Sequence, residues 1–233
     1  MFSLRKTRLS GLPGRIFFKV AYPLYYKGKL KKTNHAHLFG FSLTIPPGVF
    51  HPGLFFSTKI LGKYLFTLDL QNKTILEMGC GSGLLSLIAA SKGGFVTSVD
   101  INQSAVECTQ ANAHGNGLSQ RIKSIQSNLF QSIPDDAKFD LVIWNPPFFP
   151  QEPAGEASMA WNAGKGYRVL REFGDKAKYH LSPGGKLILI LTNRSSDSNQ
   201  IIEFFLNRGF QSKQLLAKRT LFEIFTILEM TSS

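Results

Sequence analysis

Acidic residues are missing from the first 68 positions of this 233-residue chain. The first is Asp69, preceded by eleven lysines and arginines. From Asp69 onward sixteen basic and fifteen acidic side chains nearly cancel, so the formal net charge of +12 belongs almost wholly to the N-terminal part. Long apolar runs are also lacking, and none reaches the ~18–20 residues of a transmembrane helix. The N-terminus has neither the apolar core nor the small-residue cleavage site of a secretory signal. There are two cysteines, Cys80 and Cys108, too few for a secreted disulfide framework. The expectation is therefore a protein of the reducing cytoplasm. Arg5, Arg8 and Arg15, with Ser3 and Ser10, also suit an organellar transit segment, but basic residues continue past any usual cleavage point.

What is present has an order. Residues 1–15 contain Gly11, Pro13 and Gly14 and read as an irregular arm; residues 17–22 read as a strand. Phe39, Phe41, Leu43 and Ile45 alternate with polar residues at the period of a half-buried strand. Together these predict a β-hairpin with Lys27, Lys29, Lys31 and Lys32 at its bend, ended by Pro46-Pro47-Gly48. A helix is expected over 54–67. Strands then alternate with helices: strands at 74–78, 95–99, 122–126, 139–144 and 186–192, helices at 82–91, 104–114, 167–180 and 199–208, and closing strands at 211–217 and 221–228. This alternation predicts an α/β architecture with a mostly parallel sheet, and the nearly continuous apolar strand 186–192 fits a sheet covered on both faces. Two units follow: a basic arm and hairpin over 1–48, and a second domain over 49–233.

Two motifs carry chemistry. Glu77-Met78-Gly79-Cys80-Gly81-Ser82-Gly83 lies between a strand and a helix, where glycines let the backbone turn tightly and a ligand come close. Its spacing is G-x-G-x-G, not that of the dinucleotide fingerprint. Asp100 ends the next strand, where an acceptor-only carboxylate suits two vicinal ribose hydroxyls. Cys80 has no partnering His or second Cys and reads as a packing residue. The second motif, Asn145-Pro146-Pro147-Phe148, follows the strand Phe139–Trp144. An Asn amide oxygen and a proline-fixed carbonyl can accept two hydrogen bonds from one –NH2 group. They thereby free the lone pair of a conjugated nitrogen, while Phe148 stacks on the flat group that carries it. No metal-ligand spacing occurs.

These motifs resemble the class I S-adenosylmethionine-dependent methyltransferases over about residues 45–230. The Asn-Pro-Pro-Phe form, with Pro47-Gly48-Val49-Phe50, resembles the small-domain group that modifies planar nitrogens in ribosomal or transfer RNA. The resemblance implies a doubly wound, seven-stranded sheet and S-adenosyl-L-methionine as cofactor. Gly79, Gly81 and Gly83 would line its methionine part, Asp100 would hold the ribose, and Ile101 would pack on the adenine. Asn128, followed by Leu129, stands where the family usually has an aspartate facing the adenine amino group. Glu77 completes the cofactor motif. The implied reaction is methylation of an exocyclic amine, adenine N6 or guanine N2. The alternatives are glutamine methylation of a protein, disfavoured by a hairpin where release-factor enzymes carry helices, and a non-catalytic RNA-binding module on the same fold. Phe50 and His51 would cover the cofactor or target, with helix entry the competing reading for His51. Trp161, in an Ala-, Gly- and Glu-rich loop over 150–166, either stacks a base or packs. Oligomeric state is not legible.

The acid-free segment interleaves its cations with Phe17, Phe18, Tyr22, Tyr25 and Tyr26, a composition suited to looped or single-stranded nucleic acid. Charge reversal at Lys29, Lys31 and Lys32 is expected to weaken RNA binding. It should also lower the log–log salt slope by about 0.7–0.9 for each phosphate no longer neutralised. Filter binding over a salt series measures this, and an unchanged slope removes these lysines from the interface.

Overall fold

The structure, a computed structural model, describes residues 31–193, 198–220 and 223–232. The expected strand at 17–22, Lys27, Lys29 and Leu221 lie outside these residues. Strands β1 (Asn34–Leu38) and β2 (Phe41–Ile45) pair antiparallel, Asn34 opposite Ile45 and Leu38 opposite Phe41. The bend is Phe39-Gly40, with φ of 55° and 85°, the conformation a two-residue hairpin turn demands. The period-two pattern read as one strand thus spans the turn, and Lys31 and Lys32 precede β1 instead of occupying the bend.

The main sheet contains β3 (Thr74–Met78), β4 (Phe95–Asp100), β5 (Ile122–Gln126), β6 (Phe139–Trp144), β7 (Leu181–Thr192), β8 (Phe210–Arg219) and β9 (Ile224–Ser232). Their order is β5-β4-β3-β6-β7-β9-β8, with β9 alone antiparallel to its neighbours. β7 begins five residues before the strand expected at 186–192, and Pro183-Gly184-Gly185 lie inside it as an irregularity. Phe139 pairs with Leu181 but Leu141 with Lys186.

The helices are α1 (Phe56–Leu65), α2 (Leu84–Ser91), α3 (Gln103–Gly115), the single turn α4 (Glu156–Met159), α5 (Arg168–Ala177) and α6 (Ser198–Leu206). The sequence pattern started the first helix too early. Pro52 begins a separate 3-10 turn, capped where the His51 ring Nδ1 accepts from Gly53 N at 3.1 Å.

Successive strand residues feed two cores, as the double winding requires. Ile75, Ile143 and Ile188 pack with α1, α2 and α3, while Leu76, Val142 and Leu187 pack with α5 and α6. Phe173 anchors the second core, its ring 3.8 Å from Trp144. A buried side chain of that size stabilises by about 1.5–3 kcal/mol.

The hairpin is tied to the first core in two ways. Leu43 and Ile45 are buried within it. The backbone edge of β2 is paired by two asparagine side chains, Asn112 on α3 and Asn116 at its C-cap. Asn116 accepts from Ser42 N (3.1 Å) and donates to Ser42 O (2.8 Å). Asn112 accepts from Thr44 N (2.9 Å) and donates to Thr44 O (3.2 Å). The amides satisfy backbone groups that an adjoining strand would otherwise meet. Asn112→Ala should destabilise the protein by about 1–3 kcal/mol, because it strands these partners. Urea unfolding checks this; an unchanged midpoint would mean water replaces the amide at no cost.

Candidate active site

Three strand ends build the site. β3 lies between β4 and β6, so the loop after Met78, the end of β4 at Asp100 and Asn145 after Trp144 share one edge of the sheet. They line a cleft of about 790 Å³, the ligand position of open α/β sheets.

The glycine loop is shaped from two sides. Gly79 has φ of 71°, lines the cleft, and an added Cβ there would meet no atom within 4 Å. Gly83 has φ of 79° for a different reason: a Cβ would lie 2.8 Å from Thr109 Cγ2, so this glycine lets the loop pack on α3 and does not line the cleft. Thr109 also donates to Gly81 O (3.2 Å), and Asn112 donates to Ser82 O (2.9 Å). α3 therefore holds both the loop and the hairpin.

Asp100 is oriented by backbone donors. Its Oδ2 accepts from Gly81 N (2.9 Å) and its Oδ1 from Asn102 N (3.0 Å). Burial raises its pKa, and these N–H groups oppose the rise. The Ile101 N–H opposes the rise as well, and with four lone-pair sites the carboxylate still has room for a further donor. Glu77 is buried beneath the loop and does not line the cleft. It accepts from the Ser86 hydroxyl, itself 2.5 Å from the Ser98 hydroxyl. Burial pushes its carboxyl up to about 8 against the lowering effect of Ser86, which makes it a support of the loop held as the neutral acid. Burial likewise raises the Cys80 thiol well above the ordinary range, consistent with a packing residue.

Ile101, Asn128 and Leu129 line the same side of the cleft. Leu129 adopts φ of 51°, and Ser127 straps the turn, donating to Leu129 O (2.7 Å) and accepting from Ser132 N (2.9 Å). Sequence reading passed over Ser127, although its place at the strand end was a usable signal.

Asn145, Pro146, Pro147, Phe148 and Trp161 also line the cleft, and Phe50 lies over the glycine loop, its Cβ 3.4 Å from where a Cβ on Gly81 would stand. Phe50 stacks on Phe55 with centroids 4.4 Å apart. The Asn145 Nδ2 donates to Thr58 Oγ1 at 3.1 Å, while its buried Oδ1 has no partner among the described residues. Thr58 had no sequence signal, being 87 positions away. Thr192 and Glu223, joined at 2.6 Å, also line the cleft and were missed. His51 does not line it. Lys31 and Lys32 are exposed and likewise not part of its wall, and Lys29 is not described. No metal-binding cluster occurs among the described residues, nor any helix long and apolar enough to cross a membrane.

S-adenosylmethionine fits this arrangement: an open glycine cradle, a carboxylate with free lone pairs and an apolar wall at Ile101. The strand order and this site define a class I methyltransferase that uses that cofactor. The chain belongs to the methyltransferase small domain family, whose model matches residues 41–226. It is 31% identical over 178 residues to a candidate protein N5-glutamine methyltransferase of Methanocaldococcus jannaschii, covering 74% of this chain and 86% of that one. It is 35% identical over 132 residues to the tRNA1(Val) adenine-37 N6-methyltransferase of Shewanella loihica, 54% of each chain. The structure of the T. thermophilus methyltransferase for N2 of guanine 1207 in 16S rRNA, bound to the cofactor and guanosine, superposes with a TM-score of 0.64 at 20% identity. That match covers 87% of this chain and 50% of that one. The chain thus spans about half the length of these two RNA-modifying proteins.

The buried carboxyl sets a pH dependence. Unfolded, Glu77 titrates near 4.5, so between that pH and about 8 unfolding releases a proton that the native carboxyl keeps. Its contribution to stability is full below the lower value and is lost as pH rises through the upper one. Glu77→Gln, which does not titrate, should flatten the fall in melting temperature of the free protein between about pH 5 and pH 8. Equal slopes for variant and wild type would show that another group governs it.

Proposed function

We propose that this methyltransferase acts on an exocyclic amine of a nucleobase in ribosomal or transfer RNA, adenine N6 or guanine N2. The observation that carries this reading is Asn145 on the wall of a cleft shared with Phe50, Phe148 and Trp161, its buried Oδ1 having no hydrogen-bond partner among the described residues. An –NH2 group offers hydrogens to such an acceptor, and a flat base offers faces to the rings. Held by the glycine loop and Asp100, S-adenosylmethionine would supply a sulfonium methyl to the nitrogen lone pair, the C–S electrons would return to sulfur, and the proton lost from nitrogen would pass to solvent at the open mouth of the cleft. The protein's part is to position and to exclude water. Asn145 Oδ1 and the Pro146 carbonyl accept from the amine, and Pro147 and Phe148 shape the platform beside it. A base within a duplex is flipped out to reach them.

On the cofactor side, Gly79 and Gly81 receive the methionine part. Asp100 holds the ribose, and Ile101, Leu129 and Asn128 meet the adenine. Glu77 and Gly83 support the loop from behind. Phe50 closes over the site while His51 caps the turn that carries it. Residues 1–48, with Lys29, Lys31 and Lys32, engage the phosphate backbone, and residues 49–233 perform the chemistry. The names of the Shewanella and Thermus relatives support an RNA amine. The Methanocaldococcus relative favours a second reading, the side-chain amide of a protein glutamine, a planar nitrogen that the same acceptor could orient.

Labelled S-adenosylmethionine incubated with total RNA, DNA and protein separates the two. Label is expected in RNA, and label confined to protein would establish the glutamine reading in its place. Asn145→Ala should lower transfer by about 100-fold or more, with cofactor affinity kept within a few-fold. Calorimetry with the free cofactor measures the second quantity, and a parallel loss of both would move Asn145 to the cofactor site.

A further inference from the structure

The side-chain amide of Asn145 has two chemically opposite ends of nearly equal size. Rotation by half a turn about its terminal torsion, which has a broad and roughly two-fold profile, would exchange them. An amine substrate presents hydrogens, so the reaction needs the oxygen toward the cleft; an outward –NH2 would set donor against donor. Within the Asn-Pro-Pro-Phe segment the two prolines offer no N–H to the oxygen. A partner from outside the segment engages the amide, and although a hydroxyl can donate or accept, the contact in this structure is of one kind. Thr58, 5% exposed in the first turn of α1, accepts from Asn145 Nδ2 at 3.1 Å. This hydrogen bond engages the nitrogen end and leaves Oδ1 unpartnered.

We infer that Thr58 is a positioning residue for methyl transfer: its hydroxyl holds the Asn145 amide with the oxygen facing the acceptor nitrogen. The inference rests on the amine-acceptor reading of this cleft. It also gives α1 a function beyond packing. The turn at Pro52–Leu54 leads into α1, and the neighbouring Phe50, Phe55 and Ser57 line the cleft. The segment that walls the cleft therefore also sets the orientation of the catalytic amide.

Two substitutions and two readouts test this. Thr58→Val keeps the branched shape and removes the hydroxyl; Thr58→Ser keeps the hydroxyl and removes a methyl. Positioning predicts that kcat falls about 10- to 100-fold in Thr58→Val, with cofactor affinity and melting temperature near those of wild type. Thr58→Ser should retain most of the activity. A packing role predicts the reverse order, since the serine variant loses the buried methyl. The second readout needs no acceptor. The side-chain amide resonances of Asn145, identified by their disappearance in Asn145→Ala, should shift in Thr58→Val and stay in place in Thr58→Ser. Full activity in Thr58→Val, equal damage in both variants, or unmoved resonances in Thr58→Val would overturn the inference. If the resonances move but wild-type enzyme labels no nucleic acid, the RNA reading fails and the Thr58 hydrogen bond stands.

Discussion

The ladder that seats β3 between β4 and β6 pairs Met78 with Val99 on one side and with Trp144 on the other. In a parallel sheet, residues in register end at the same edge. The glycine loop, Asp100 and Asn145 therefore meet although they lie far apart in the chain. A slip of one residue in either pairing would reverse every side chain of that strand between the two cores. The burial of Ile75 on one face and Leu76 on the other opposes such a slip. The packing of the sheet and the geometry of the site are thus one constraint.

The cleft is finished by groups behind it. Gly81 donates its N–H to Asp100, Thr109 and Asn112 hold the carbonyls of Gly81 and Ser82, and Glu77 with Ser86 and Ser98 forms a buried polar cluster under the loop. Fully satisfied buried polar groups rigidify their surroundings. Here they hold a loop whose left-handed residues would be costly for a side chain with a Cβ. α3 carries this order outward, because Asn112 also pairs the edge of β2.

The division of charge does not coincide with a division of the cleft. The acid-free first 68 residues supply the hairpin, α1 and the cleft-lining Phe50, Phe55 and Ser57, while the nearly neutral remainder supplies the glycine loop, Asp100 and Asn145. The ion pairs on the cleft rim, Arg168 with Glu152 and Glu172 at 3.4 Å each, are exposed. Pairs of that kind contribute little to stability.

Much of this was legible in the sequence. The strands over 74–78, 122–126 and 139–144 have the bounds the sequence predicts, because segments of five or six residues between turn signals are too short for a helix and of ordinary strand length. The glycine loop, Asp100 and the Asn-Pro-Pro-Phe segment stand out because each combines specific residue types with fixed local spacing, and the structure brings all three to one cleft. Fold class follows from periodicity, and these cleft-lining residues from contiguous motifs. Other features were misread or missed where a local pattern had more than one solution. The period-two run over 39–45 continues through a turn, since Phe39 and Gly40 take left-handed conformations without interrupting the alternation. Gly83 reads like its two companions but answers to Thr109. Packing alone settles which side chain the Asn145 amide meets, which glycine yields to the helix behind it, and what pairs the hairpin edge. Those contacts join residues 26 to 87 positions apart. No local pattern encodes a partner at that distance; only the packed chain brings the two groups within hydrogen-bonding reach.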